Sequence, residues 1–266
     1  MWRNLQQLGR YRGLIQSLVT RELKARYRGS MLGFFWSFVN PLMLLSIYTF
    51  VFRYILQNTE EKLQPFSLFM FCGLLPWTWF SASLAEASGS LISGGNLIKK
   101  VLFPAEVLPI VSVLSNMVHF FLGLTILAGF MIWFGHMPDP ADLLFFPLIV
   151  AVQLVFTLAL SLFVAALTVH FRDIRDLITN LLTFWFFATP IIYFYELKSV
   201  QSFRWLFDFN PMFHLAVSYQ EVLFFRGPFW QGHLWWLLAM GAVSCVLFLA
   251  AYWLFDRLRD SFAEVV

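Results

Sequence analysis

Six long apolar stretches separated by short polar connectors set the pattern of this chain. They cover residues 31–56, 66–86, 105–134, 143–169, 177–195 and 233–255. Each approaches or exceeds the roughly 20 residues that an α-helix needs to cross a bilayer. Their central portions contain no Asp, Glu, Lys or Arg. Arg53 and Glu106 lie near the ends of the first and third stretches, where a long or terminal side chain can reach the headgroups. A seventh stretch, Pro211 to Phe225, is too short to span and carries Glu221, so it predicts a re-entrant or interfacial element. The pattern predicts an all-α integral membrane protein with six transmembrane helices.

The segment ahead of the first span has a different period. Leu8, Tyr11, Leu14, Ile15, Leu18, Val19 and Leu23 share one face of a helix, and Arg10, Ser17, Thr20, Arg21, Lys24 and Arg28 take the other. A basic amphipathic helix of this kind lies in the membrane interface. Arg12, Glu22 and Arg26 break the pattern. The helix serves either as a topology anchor or as a cytoplasmic gate built on Arg21, Lys24, Arg26, Tyr27 and Arg28.

Charge then orients the chain. The first 30 residues hold seven Lys/Arg against one acid, Glu22, and no apolar run follows Met1 as in a cleaved signal peptide. With that segment in the cytoplasm and six crossings, Lys99, Lys100, Arg172, Arg175, Arg257 and Arg259 join it, giving 13 basic residues inside and five outside (Arg53, Lys62, Lys198, Arg204 and Arg226). The positive-inside rule therefore puts both termini in the cytoplasm. The expected organisation is an interface segment at 1–30, a six-helix membrane domain at 31–256 and a cytoplasmic tail at 257–266.

Composition agrees with lipid as the main solvent. Of the 266 residues 60% are hydrophobic and only 12% charged, about half the charge of a soluble domain. That excludes a soluble enzyme, a disordered chain and a disulfide scaffold. Cys72 and Cys245 both sit in apolar runs and suggest no bridge. A net charge of +3, with its carriers scattered, excludes a nucleic-acid binder.

Several chemistries are missing from the sequence. The five histidines, His119, His136, His170, His214 and His233, have no metal-ligand spacing, and His119 is expected to pack and hydrogen-bond rather than catalyse. There is no buried pair of aspartates and no Gly-x-Ser-x-Gly elbow. Ion-driven transporters place ionisable groups near the midplane, at about 2.5–3.5 kcal/mol each on insertion scales, and these spans carry none there. Nor is there a P-loop, so any uphill movement draws its work from another polypeptide.

Seven motifs in order point to one family. They are Arg21-Glu22-Leu23-Lys24-Ala25-Arg26-Tyr27 leading into Leu32-Gly33-Phe34-Phe35-Trp36-Ser37-Phe38-Val39-Asn40-Pro41, then Gly73-Leu74-Leu75-Pro76-Trp77, Asn96-Leu97-Ile98-Lys99-Lys100-Val101-Leu102-Phe103-Pro104, Phe171-Arg172-Asp173-Ile174, Thr189-Pro190-Ile191-Ile192-Tyr193 and Asn210-Pro211-Met212. From about residue 15 to 255 the chain resembles the permease subunit of bacterial type-2 ABC exporters of O-antigen, capsular polysaccharide and teichoic acid, the O-antigen type above all. The resemblance implies a C2 homodimer of six-span permeases with two copies of a P-loop ATPase that holds the ATP and Mg. The chain itself then has no cofactor and no catalytic residue. The cargo implied is a polysaccharide on undecaprenyl diphosphate, moved out through the bacterial inner membrane.

The resemblance also assigns roles. The loop at about 90–104 becomes a coupling helix docking on the ATPase through Asn96, Lys99, Lys100 and Phe103; otherwise its lysines only enforce orientation. Short helices within 196–232, with Asn210 and Pro211 as cap and first residue, become a periplasmic gate or a plain lid. Aromatics offer flat platforms to sugar faces, and Phe34, Phe38 and Tyr48 with Trp185, Tyr193 and Tyr195 are the candidates for a polysaccharide channel. Pro41, Pro76 and Pro190 kink or interrupt their helices. Two other readings stay open: an ABC permease for teichoic acid, drugs or small lipids, and a membrane enzyme acting on lipid-linked sugars, for which Glu60, Glu61, Asp139 and Asp142 form no constellation.

Overall fold

The structure is a computed structural model and describes residues 11–55, 63–99, 103–195, 202, 204–225, 227–229 and 232–265. No strand occurs among them. The helices are α1 Arg12–Arg26, α2 Trp36–Thr49, α3 Phe66–Ser93, α4 Gly95–Ile98, α5 Val107–Phe134, α6 Pro140–Leu143, α7 Phe146–His170, α8 Ile174–Phe187, α9 Arg204–Asp208, α10 Pro211–Leu223 and α11 Leu234–Val265. A 3-10 turn, Gly33–Phe35, leads into α2, which passes into a π-helical turn at Phe50–Ile55.

The element ends follow local chemistry. Asp139 and Asn210 each accept a backbone N–H two residues on, and a proline opens the helix that follows. Gly135 closes α5 at φ 64°, a left-handed conformation that glycine adopts at no steric cost. Thr189 is biased away from helical geometry by Pro190, and α8 has already ended at Phe187. Pro41 and Pro76, by contrast, lie inside α2 and α3, which run on through them.

Four helical stretches among the described residues are long and apolar enough to cross a membrane: Phe66–Ser93, Val107–Phe134, Pro140–His170 and Leu234–Phe262. The first and fifth predicted spans are interrupted instead, at the π-turn after α2 and at the Thr189–Pro190 bend.

Helix α3 is the axis of the core and is buried along most of its length. Trp79 stacks on Phe120 of α5 at 5.0 Å, and Phe80 stacks on Phe156 of α7 at 5.6 Å. The short α10 is wedged against α3, α7 and α11, with Tyr219 edge-on to Phe120 and Phe146. Helices α7 and α11 meet through small residues, Ala165, Ala166 and Ala251, which let membrane helices approach closely. Helices α5 and α11 leave large apolar side chains such as Ile132, Trp133, Val246 and Trp253 exposed, as lipid-facing helices do.

Three expectations are corrected by the fold. Helix α3 continues to Ser93, so Glu86 stands seven residues inside a spanning helix rather than at its end. Glu106 does not reach outward: it is 3% exposed and faces Arg259. Residues 257–265 are no loose tail but the continuation of α11.

Candidate functional site

Two of the residues that spoil the amphipathic pattern of α1, Glu22 and Arg26, meet each other, and Arg26 makes polar contacts with other helices. Tyr11, Leu14, Ile15, Leu18 and Val19, the apolar face expected to lie in the membrane interface, pack on Val107 and Val111 of α5. Arg26 turns inward, pairs with Glu86 of α3 and donates to Asn116 Oδ1 of α5 at 3.0 Å. Asn116 in turn donates to Glu86 at 2.7 Å, and Glu22 stands 3.9 Å from Arg26. Next along the chain, the Tyr27 hydroxyl bonds to Ser37 at 2.7 Å and to His119 Nε2 at 2.5 Å, while His119 Nδ1 faces the Ser115 carbonyl. The histidine is a packing and hydrogen-bonding residue, as expected.

This cluster lies between two cavities. One, of about 660 Å³, sits between α2, α3 and α5; it is apolar along Met43, Leu44, Ile47 and Leu74 and ends in Arg26, Tyr27 and His119. The other, of about 600 Å³, has a mixed lining in which Arg21, Glu22, Glu86, Ser90, Ser93 and Arg175 face Leu18, Leu108 and Val111. Arg26 and Glu86 thus join across the boundary, each facing a different cavity. Lys24 and Arg28 are exposed and share a shallow basin with Arg21 on the outer face of α1.

The loop after α3 forms the one-turn helix α4. Asn96 and Lys99 are exposed, and Phe103 is tucked against the apolar clusters beneath. Lys100 lies outside the described residues. Gly94, between α3 and α4, has no room for a side chain, since a Cβ there would stand 2.3 Å from Leu108 Cδ1.

The aromatics proposed for a channel divide by position. Tyr48 packs against the core and faces Phe186 at 5.9 Å, and Phe38 is half-buried; the side chain of Phe34 lies outside the described residues. Trp185 is edge-on to Phe80, Tyr193 donates to the Phe187 carbonyl at 3.0 Å, and Tyr195 stands against Phe213. These last three turn towards the core rather than out. The exposed face of α8 carries Leu177, Phe184 and Phe187 together with Thr179, Asn180 and Thr183. Both threonine hydroxyls bond to carbonyls of their own helix.

At the opposite end of the bundle Asn210 joins three elements. Its oxygen accepts from Met212 N at 3.0 Å and from Trp185 Nε1 at 2.7 Å, and its amide donates to the Ala188 carbonyl at 2.9 Å. Nearby, His214 and His233 face each other at 3.0 Å, a pair that sequence spacing hides because 18 residues separate them. Their other nitrogens face the Asp208 carbonyl at 2.9 Å and Glu221 at 3.9 Å. Burial holds both imidazoles below the usual histidine range, His233 to about 3. Among the described residues no three metal-capable side chains converge. Asp142, buried, accepts from Phe229 N at 2.9 Å and ties down the loop before α11.

Sequence reasoning missed Glu86 and Asn116. Their signal was a lone acid in the small-residue run Ser81–Ser93 and a lone amide in an apolar helix.

Comparison with known proteins agrees with this architecture. Residues 13–224 match the family described as ABC-2 type transporter, and the chain belongs to that family of transporter permeases. It is 41% identical over 268 residues, all of both chains, to the O-antigen export system permease protein RfbA of Myxococcus xanthus. It is 29% identical to the Klebsiella pneumoniae protein of the same name, over 97% of each. More distantly, it is 21% identical to the polysialic acid transport protein KpsM of Escherichia coli, over 79% of this chain and 80% of the other. The chain is therefore a multi-pass membrane protein and a transporter component.

Proposed function

We propose that this chain is the membrane half of an ATP-driven exporter of O-antigen-type polysaccharide. The observation that carries the reading is the end-to-end identity of 41% to an O-antigen export permease. In this reading α2 with its π-turn and α8 with residues 188–195 complete six crossings of the bacterial inner membrane, and both termini are cytoplasmic. Two copies of the chain pair with two copies of a P-loop ATPase, which binds ATP and Mg and does the hydrolysis. The cargo is the polymer on undecaprenyl diphosphate.

The cavities and the polar cluster give this reading a mechanism. Arg26 on Glu86 is a cytoplasmic latch holding α1 against α3 and α5. Asn96, Lys99 and Phe103 at α4 receive the ATPase, and a displacement of α4 passes directly into α3 and α5, which flank it. The face of α8 that carries Thr179, Asn180 and Thr183 lines the path with its counterpart in a two-fold dimer, where it offers uncharged hydrogen-bonding groups, the charges of Arg175 and Asp176 being confined to the first turn. Asn210 and α10 close the far end.

The test is export itself. Deleting the gene in its host should abolish surface O-polysaccharide and leave lipid-linked polymer in the inner leaflet, with recovery on complementation. Normal surface polymer in the deletion strain would sink the proposal.

A further inference from the structure

The end of α11 meets the loop that carries α4. Phe262 is fully buried and lies in one apolar cluster with Leu91 at the end of α3, Leu97 and Ile98 of α4, and Leu108 of α5. Ser261 bonds to His170 Nε2 at 3.1 Å, fixing the same turn to the end of α7. Beside it, Arg259 Nη1 stands 3.7 Å from Glu106 Oε1, and Glu106 is the residue from which α5 starts. The other carboxylate oxygen, Oε2, is buried with no hydrogen-bond partner among the described residues. A buried carboxylate held by one cation is a poor stabiliser and a sensitive positional link, because removing the cation strands the charge. The carboxylate also lies at the positive N-terminal end of α5, where the helix dipole favours it.

We propose that residues 257–262 are a brace of the coupling device, with Arg259 a positioning residue that acts through Glu106. When the ATPase moves α4, the brace keeps the loop from yielding on its own and directs the displacement into α5 and α7. The proposal rests on the coupling reading of α4 given above, and its test separates the two.

The experiment uses the permease–ATPase complex in proteoliposomes and measures ATPase association, ATP hydrolysis and polymer delivered per ATP. Arg259→Gln, and truncation after Asp256, should retain the ATPase and its hydrolysis yet lower delivery per ATP by about fivefold or more. Arg259→Lys should restore most of the loss, which a purely structural defect would not allow. The double variant Glu106→Gln with Arg259→Gln carries no stranded charge; it should fold normally and still be uncoupled, so the proposal stays testable if the truncation does not assemble. Wild-type delivery per ATP in all three uncoupling variants overturns the brace. Loss of ATPase binding in Arg259→Gln also overturns it, assigning the residue to docking. If the unmodified permease itself binds no ATPase, the coupling reading fails and not merely the brace.

Discussion

Trp185 donates its indole N–H to Asn210 Oδ1 at 2.7 Å, and this contact ties the end of α8 to the start of α10. The same oxygen caps α10 through Met212 N, so one amide serves both the fold of a short helix and its attachment. Asn210→Ala therefore removes a cap worth about 1 kcal/mol and leaves the indole and the Ala188 carbonyl without their partner, a further cost of about 1–3 kcal/mol. A lower thermal midpoint and reduced polymer export are expected together. An unchanged midpoint by differential scanning fluorimetry would show that α10 is held elsewhere.

Breaking the latch has a different signature. Arg26→Ala leaves Glu86 and Asn116 to each other and frees the end of α1. In a Cys245→Ser background, access of a thiol reagent to Leu74→Cys, buried in the apolar cavity, should rise several-fold from the cytoplasmic side, without loss of dimer or ATPase. Glu86→Gln should act the same way but more weakly, because the amide still accepts from Arg26. Equal labelling in both variants and the parent would refute the latch.

Acid should loosen the far end of the bundle. His214 and His233 are held neutral by burial, with folded values below the ordinary 6.5, about 3 for His233. The unfolded lid therefore binds more protons than the folded one between roughly pH 6.5 and 3, and stability falls as pH drops through that window. Hydrogen-exchange protection across residues 211–223, taken relative to the intrinsic rate at each pH, should fall from pH 7 to pH 4.5, and His233→Gln should flatten the profile. An exchange rate that follows only intrinsic chemistry would count against the pair.

Gly94→Ala tests the coupling loop sterically. The new methyl would stand 2.3 Å from Leu108 Cδ1 and 2.9 Å from the Ser90 carbonyl oxygen. Overpacking of this kind costs about 1–3 kcal/mol. Weaker association with the ATPase is expected, read by co-purification, with the spans intact by circular dichroism.

Orientation is checked by reporter fusions. Cytoplasmic reporters after residues 99 and 175 should be active, and those after residues 63 and 140 inactive. The reverse pattern would overturn the orientation taken from 13 basic residues against five.

The long helices were legible because an apolar run of more than 20 residues has few alternatives in lipid. The amphipathic face of α1 was legible too, but not that its apolar residues pack on α5. What the sequence hid was polar pairing across distance. Arg26 and Glu86 are 60 positions apart, and each looks like an isolated flaw in its own helix until the fold brings them together. The contacts of the proposed channel aromatics were hidden for a related reason: Trp185 bonds to Asn210, and Tyr193, beyond the Thr189–Pro190 bend, bonds back to the Phe187 carbonyl, which helical periodicity does not record. Residues 257–265 looked like a tail because their charges end the apolar run, yet Phe262 carries the helix on into the core.

The neutral amides inside the bundle have an electrical consequence. Where backbone carbonyls lie among the packed helices, at Pro76 and Pro190, glutamines 153 and 220 answer them with dipoles and not with ions. The ionised groups that a latch opening would displace are Arg26 and Glu86, about 10 Å inside the end of α3 at 1.5 Å per residue. A full elementary charge crossing the whole membrane gains about 2.3 kcal/mol per 100 mV, so Arg26 leaving alone through a third of that depth gains under about 1 kcal/mol. Opening of the proposed latch is thus nearly blind to the membrane potential.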